Sequence, residues 1–371
     1  MPGTPEIVIV AKADETHPRQ SGASLVELDD GSLFLAWMEA DTSNFQAGDD
    51  APYDIVSMVS RDGGRTWGDY RQLVARGPDD TAAYKPSLLR LQSGRILFRY
   101  EMYHRFVQNE DRIISAYVCN SEDECQTFSE PTPIWERSGH LTGSMNDVRQ
   151  LSTGRIVVPT ETITGKALQQ DGEGLLAPTD TGVSGSFYSD DQGQTWHECD
   201  NYVYLPMRGA EEPKIEELRD GRLLMVMRTQ LGSVFKSISA DGGQSWSKPQ
   251  TTGLMSPESC PALTRVPATG DLLLVWNHGR YDPTFDHYGK RNPLSVGLST
   301  DDGETWKKIK HIETDLAWEF TNPSPIVTSD RKLLIAYEAS KYDSLEPPGK
   351  LGRSRMHLKL AIVPLDWIYE S

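Results

Sequence analysis

Several things are scarce in this chain. There are four cysteines, Cys119, Cys125, Cys199 and Cys260, and none stands in a CxxC or CxxH spacing. That excludes the common zinc sites and a disulfide scaffold, and free thiols in a reducing compartment are the expectation. No apolar run nears the ~18 residues of a membrane span. No helix-length amphipathic stretch is present, so the chain must fold largely without helices. Basic residues are outnumbered: 37 Lys and Arg stand against 54 Asp and Glu, a net charge of −17. Such a surface repels phosphate backbones, which argues against nucleic acid as a partner. It still leaves room for a local anion site where a few arginines converge. Met1 to Ala11 has no charged n-region, long apolar core or cleavage site. As given, the chain therefore reads as cytoplasmic, and a removed secretory leader is compatible with the same sequence. No metal and no other cofactor is expected.

What is abundant is repetition. An octapeptide recurs as Ser60-Arg-Asp-Gly-Gly-Arg-Thr-Trp67, Ser189-Asp-Asp-Gln-Gly-Gln-Thr-Trp196, Ser239-Ala-Asp-Gly-Gly-Gln-Ser-Trp246 and Ser299-Thr-Asp-Asp-Gly-Glu-Thr-Trp306. A degenerate copy is Ser121-Glu-Asp-Glu-Cys-Gln-Thr-Phe128. Asp accepts hydrogen bonds from its own turn, Gly supplies positive φ, and Trp buries a large surface between strands. In the degenerate copy Cys125 replaces Gly, and a left-handed Cys costs on the order of 1–2 kcal/mol, so this turn is expected to differ.

A second motif interleaves with the first: an apolar strand, a turn, and another apolar strand. It begins at Ala23, Pro86, Asp147, Pro213, Pro261 and Pro325. Six such units and five octapeptides, spaced by roughly sixty residues, describe four strands per repeat. That is the signature of an all-β, six-bladed β-propeller with four antiparallel strands per blade, in a single domain over residues 1–371. Glu6–Ala11 and Met356–Val363 read as strands that seal the ring in the sixth blade. The long segments Glu161–Gly185 and Trp276–Leu294 read as loops on the ligand face.

The octapeptide resembles the Asp box of the sialidase superfamily of bacterial-neuraminidase-repeat proteins, and the likeness covers nearly the whole chain. The boxes themselves serve the turns and say little about activity. The resemblance implies a site of three carboxylate-clamping arginines, a Tyr–Glu nucleophile pair and an Asp acid/base. Glu212 to Arg228 matches the family pattern of a Glu opening the fourth blade and an Arg ending the next strand. Arg291, ahead of the strand into the box at Ser299, matches a second clamp. Arg19 is the candidate for the third, two positions early and without the usual Ile-Pro. Asp49 or Asp50, on the loop after the first blade's second strand, is the candidate acid/base. The last blade opens with Phe320-Thr-Asn-Pro-Ser-Pro-Ile326 and lacks the nucleophilic Tyr. Tyr103, Tyr281 or Tyr337 would have to replace it, or water attacks directly.

Polar residues at the inner-strand entrances complete the candidate set: Tyr84, Asn146 and Asp147 for substrate binding, and His140 as a base. Glu211 and Glu258 share such positions. The resemblance thus implies an exo-acting glycosidase acting on a terminal acidic sugar of a glycan. A uronic-acid lyase is the alternative that the missing Tyr favours, and a non-catalytic carbohydrate-binding propeller is the other.

Overall fold

The computed structural model describes residues 3–41, 51–104, 113–163, 181–342 and 355–370. The chain begins with strand β1 (Glu6–Ala11), which is set aside until the ring closes. Blade 1 follows with β2 (Gln20–Glu27), β3 (Leu33–Ala40), β4 (Tyr53–Ser60) and β5 (Gly68–Val74). Blade 2 is β6 (Asp80–Arg90), β7 (Ile96–His104), β8 (Ile113–Ser121) and β9 (Thr132–Ser138). In blade 3 the inner strand is interrupted, as β10 (Leu141–Thr142) and β11 (Arg149–Gln150), and β12 (Ile156–Ile163) and β13 (Gly182–Ser189) follow. Its outer strand is also split, into β14 (His197–Glu198) and β15 (Val203–Tyr204). Blade 4 is β16 (Glu211–Glu217), β17 (Leu223–Arg228), β18 (Ser233–Ser239) and β19 (Gln250–Met255). Blade 5 is β20 (Ala262–Arg265), β21 (Leu272–Asn277), β22 (Leu294–Ser299) and β23 (Lys307–Glu313). Blade 6 is β24 (Trp318–Val327), β25 (Lys332–Lys341) and β26 (Met356–Pro364), with β1 returning as its outer strand. β1 pairs antiparallel with β26, Glu6 opposite Ile362, so the last blade is stitched from both termini as the sequence suggests. The short helix α1 (Leu365–Tyr369) follows β26.

Each blade buries both faces against its neighbours, which is why the second strands open as apolar runs such as Leu33-Phe-Leu-Ala-Trp37 and Leu272-Leu-Leu-Val-Trp276. Leu25, Leu33, Leu35 and Trp37 of blade 1 pack with Leu334, Ala336, Leu358 and Leu360 of blade 6. Each of these leucines contributes roughly 1.5–3 kcal/mol on burial.

The octapeptides form the turns between third and fourth strands. In the first, Asp62 Oδ1 accepts the backbone N–H groups of Arg65 and Thr66 at 3.0 and 2.9 Å, and Oδ2 accepts the Thr66 hydroxyl at 2.7 Å. The Ser60 hydroxyl accepts the Gly64 N–H at 2.9 Å. The Cys125 turn departs from expectation by not differing: Cys125 adopts φ 63° and its N–H reaches the Ser121 hydroxyl at 2.9 Å. Its thiol is buried in the core between blades 1 and 2, and Arg71 of blade 1 holds its carbonyl at 2.5 Å. Packing thus holds the left-handed conformation that the residue alone disfavours.

A second repeated device lies at the starts of the inner strands. Register slips occur in β2 between Ser21 and Ser24, in β6 between Tyr84 and Ser87, in β16 between Glu211 and Lys214, and in β24 between Thr321 and Ser324. Within these bulges Gly22, Lys85, Glu212 and Asn322 are left-handed, with φ of 53°, 52°, 46° and 52°. Asn146, just before β11, has φ 50°. Such bulges bend a strand and re-aim its side chain. In blade 1 glycine takes the position, and a Cβ there would displace the Met38 methyl, 2.4 Å away.

Candidate active site

The bulged residues meet one another across blades. Lys85 Nζ donates to Thr142 Oγ1 at 2.8 Å and to the Gly143 carbonyl at 2.9 Å, joining blade 2 to blade 3. The Glu212 N–H reaches Glu161 of β12 at 2.5 Å. The Cys260 thiol, just ahead of β20, donates to Glu212 Oε2 and lies 2.9 Å from Asn322 Oδ1, so blades 4, 5 and 6 meet there. Asn322 Nδ2 donates to Glu338 at 2.8 Å.

Arg228, at the end of β17, sits among three carboxylates. Nη1 donates to Glu212 Oε2 at 2.8 Å, Nη2 to Glu258 Oε1 at 2.8 Å, and Nε lies 3.4 Å from Glu211 Oε2. Glu258 is also bound by Arg208 Nη1 at 2.8 Å and Gln230 Nε2 at 3.1 Å. The loop between β21 and β22 brings His287 Nδ1 to within 3.3 Å of its other oxygen. Arg291, on the same loop, donates from Nε to the Glu258 backbone carbonyl at 3.0 Å. Arg228 and Arg291, from different blades, are therefore fixed on one residue. The loop expected over Trp276–Leu294 lies on this face, whereas residues 164–180 of the other fall outside the described ones.

The electrostatics divide the carboxylates. Burial works against ionisation of Glu212, but Arg228, the Cys260 hydrogen bond and Lys85 hold its carboxyl far below the ordinary range. Glu258 is likewise held low, against burial, by His287, Arg228 and Arg208. Burial opposes ionisation of Glu161 too, and the His140 hydrogen bond and Lys85 overcome it. Glu211 goes the other way. Burial, with Glu161 and Glu212 adding repulsion, pushes it up to about 7 against the pull of Arg228 and Arg208. Burial pushes the Cys260 thiol well above its usual value, with Glu212 adding to the rise and Arg228 and Arg291 opposing it, so it stays a protonated donor.

The remaining sequence candidates occupy varied places. His140 Nε2 is 3.1 Å from Glu161 Oε1, so Glu161 links it to Glu212. Tyr84 stands between Tyr53 and Tyr103, with ring centroids 5.4 and 4.8 Å away. Arg19 lies beside that aromatic wall, 6.0 Å from the Tyr53 ring. Asn146 and Asp147 direct their hydrogen bonds to the scaffold, and Asp147 Oδ1 is buried without one among the described residues. Asn146 ties Ser24 to the Pro325 carbonyl at 3.0 and 3.2 Å. Asp147 accepts the Ser144 N–H at 2.7 Å and pairs with the buried Arg99 at 3.5 Å. Asp49 and Asp50 lie outside the described residues.

No tyrosine stands where the sixth blade opens. Phe320 is fully buried against Tyr337, and Tyr337 turns its hydroxyl to Glu313 at 2.8 Å. Tyr281 is an exposed rim residue stacked on Tyr288, and Tyr103 meets Thr142 at 3.1 Å. Among the described residues no group of three or more His, Cys, Asp or Glu is arranged to hold a metal ion. Glu161, Arg208, Cys260, His287 and Asn322 complete the network; of these Cys260 and Asn322 carry a sequence signal, each preceding a proline as Lys85 and Glu212 do.

A ring of six blades, five of them carrying an Asp box and the sixth closed by the first strand, with charged groups gathered at the inner-strand starts, defines a propeller of the bacterial-neuraminidase-repeat class. The BNR repeat-like domain matches residues 31–335, and the chain belongs to that family. A sialidase from Micromonospora viridifaciens is 26% identical over 330 residues, covering 80% of this chain and 46% of the relative, so this chain spans about half of that relative's length. A protein of unknown function from Dyadobacter fermentans superposes with a TM-score of 0.72 at 17% identity, over 97% of this chain and 98% of its own. The NanB sialidase from Streptococcus pneumoniae, as a single-site mutant, gives 0.71 at 14% identity over 97% of this chain and 70% of its own. At such identities the structural likeness speaks for the fold alone.

Proposed function

We propose that this chain is an exo-acting glycoside hydrolase that removes a terminal acidic sugar from a glycan, with sialic acid as the type substrate. The observation that carries the reading is the fixing of Arg228 and Arg291 on Glu258, next to an ionised Glu212. Guanidinium forks held in place, Arg228 by carboxylates and Arg291 by the Glu258 backbone carbonyl, are preorganised to receive a sugar carboxylate. Glu212, kept anionic, would face the positive charge that develops at the anomeric carbon as the glycosidic bond breaks. With Asn322 and Phe320 at the opening of blade 6, a tyrosine nucleophile is not supplied there, and water attacks directly.

The test is hydrolysis of a fluorogenic sialoside by wild type and by Glu212→Gln. Turnover by wild type and its loss in the variant support the reading. No turnover by wild type defeats it, and equal turnover defeats the role of Glu212. One observation favours a second reading, a uronic-acid lyase: Lys85 Nζ and Tyr103 Oη both meet the Thr142 hydroxyl, at 2.8 and 3.1 Å, setting a cation that could neutralise a uronate carboxylate beside a phenol that could donate a proton. Burial pushes Tyr103 up to about 12, with Lys85 pulling against it. Ultraviolet absorbance of an unsaturated product from a uronate polysaccharide would select that reading.

A further inference from the structure

Four carboxylates, Glu161, Glu211, Glu212 and Glu258, are crowded around Arg208, Arg228 and Lys85. Their hydrogen-bond partners are unequally shared. Glu212 Oε2 accepts from Arg228 and Cys260. Glu258 accepts from Arg208, Arg228 and Gln230, with His287 beside it. Glu161 has His140 on one oxygen and the Glu212 N–H on the other. Glu211 has Arg208 Nε at 3.0 Å from Oε1, but its Oε2 is buried with no hydrogen-bond partner. Arg228 Nε, 3.4 Å from that oxygen, is not aligned to donate to it. A buried carboxylate oxygen without a donor is costly, and the neutral acid, which buries no charge, costs less. Crowded like charges resolve by protonating one member, and the member with the fewest donors takes the proton.

We infer that Glu211 is the proton donor of this site, held as the neutral acid and delivering its carboxyl proton to the leaving glycosidic oxygen. The inference rests on the glycosidase reading. In the step, the bond from the anomeric carbon to the glycosidic oxygen breaks with its electron pair going to oxygen, and Glu211 protonates that oxygen. A water oxygen then bonds to the anomeric carbon, and the proton that water loses returns to the Glu211 carboxylate. The groups facing Glu211 are Arg208 from the segment between β15 and β16, Arg228 from β17, Glu161 from β12 and Glu212 from its own strand. β13 presents Gly182, where a Cβ would come within 2.9 Å of the Glu211 stem and displace it. The sequence candidates for the same role, Asp49 and Asp50, give the competing assignment.

Leaving-group dependence tests this. Wild type, Glu211→Gln, Glu211→Asp and the Asp49→Asn and Asp50→Asn variants are assayed on an aryl sialoside, whose leaving group needs no proton, and on sialyllactose, whose leaving group does. For Glu211→Gln the expected result is a ~10²–10⁴-fold loss of kcat on sialyllactose, at most about a tenfold loss on the aryl sialoside, and loss of the alkaline limb of the pH profile. Glu211→Asp should restore part of the sialyllactose rate with that limb. Equal losses on both substrates, or the differential loss appearing in an Asp49 or Asp50 variant instead, overturn the assignment while leaving the glycosidase reading intact. Wild type that hydrolyses neither substrate sinks that reading, and the inference with it.

Discussion

The Asp-box turns and the inner-strand bulges are both repeated around the ring, but they repeat different things. The boxes repeat side chains: Ser, Asp and Thr or Ser recur, making the same hydrogen bonds each time, as at Ser60, Asp62 and Thr66 and again at Ser189, Asp191 and Thr195. The bulges repeat backbone: left-handed positions recur, but they carry Gly22, Lys85, Asn146, Glu212 and Asn322. Where a residue's only task is to hold its own turn, one chemistry suffices. Where the turn presents a side chain to a shared centre, the backbone is kept and the side chain varies. The comparison predicts that damage to boxes is read in stability and damage to bulges in activity.

The largest effect should come from the bulges. Glu212→Gln keeps an acceptor for Arg228 and Cys260 but removes the charge. The kcat/KM on a sialoside should fall ~10²–10⁴-fold, about 3–5 kcal/mol in the barrier, with little change in Tm. A large fall in Tm with unchanged kcat/KM would reverse the contrast. Ser239→Ala makes the opposite cut. Ser239 is buried, and its hydroxyl accepts the Gly243 N–H at 2.8 Å and donates to Asp241 at 2.7 Å. Leaving that N–H without a partner should cost about 1–3 kcal/mol in denaturant unfolding, with kcat/KM unchanged.

Acid sharpens the same contrast through opposite signs. Hydrogen bonds from the box threonines hold Asp62, Asp123 and Asp191 down at about 2. Depressed carboxyls stabilise the fold above their unfolded value, and that stability is lost as pH falls toward about 2. Glu211, raised to about 7, binds its proton more tightly when folded. Its contribution is therefore present below about pH 4 and is lost as pH rises through about 7. Tm measured against pH should fall on the acid side in every variant that keeps its boxes. The decline between about pH 5 and pH 7 should flatten in Glu211→Gln. An unchanged slope in that variant would mean that Glu211 is ionised in the fold.

The same division explains what is legible in the sequence. Boxes are visible because their chemistry is local: Asp bonds its own turn, so the residue types must recur at fixed spacing. The six blades and the closure by Glu6–Ala11 follow from that spacing and from the apolar second strands. The centre is only partly legible. Glu212, Arg228 and Arg291 come from resemblance, but Glu161, Arg208 and His287 meet them only through loops and neighbouring blades. One signal is present and local. Lys85, Glu212, Cys260 and Asn322 each precede a proline, Pro86, Pro213, Pro261 and Pro323, and aligning those dipeptides puts one axial residue from each of four blades on the page. Asn146 escapes that alignment because Asp147 follows it. Phe320 looks like a failed nucleophile only when its strand is aligned by type, while the bulge actually turns Asn322 toward Cys260 and Glu338.

The smallest predicted effect lies where the comparison is weakest, at the one box whose side chain has changed. Cys125→Gly restores the residue the other boxes carry. It relieves a left-handed strain of about 1–2 kcal/mol. It also empties the place of a buried thiol that packs with the blade 1 and blade 2 core, and glycine has more chain entropy to lose. The burial and entropy losses together are of similar size to the strain relieved, roughly 1–2 kcal/mol. The variant should therefore unfold within about 1 kcal/mol of wild type, on the less stable side, with unchanged turnover. A clear rise in Tm would mean that strain outweighs packing at this turn, and that the degenerate box is tolerated by the core rather than built into it.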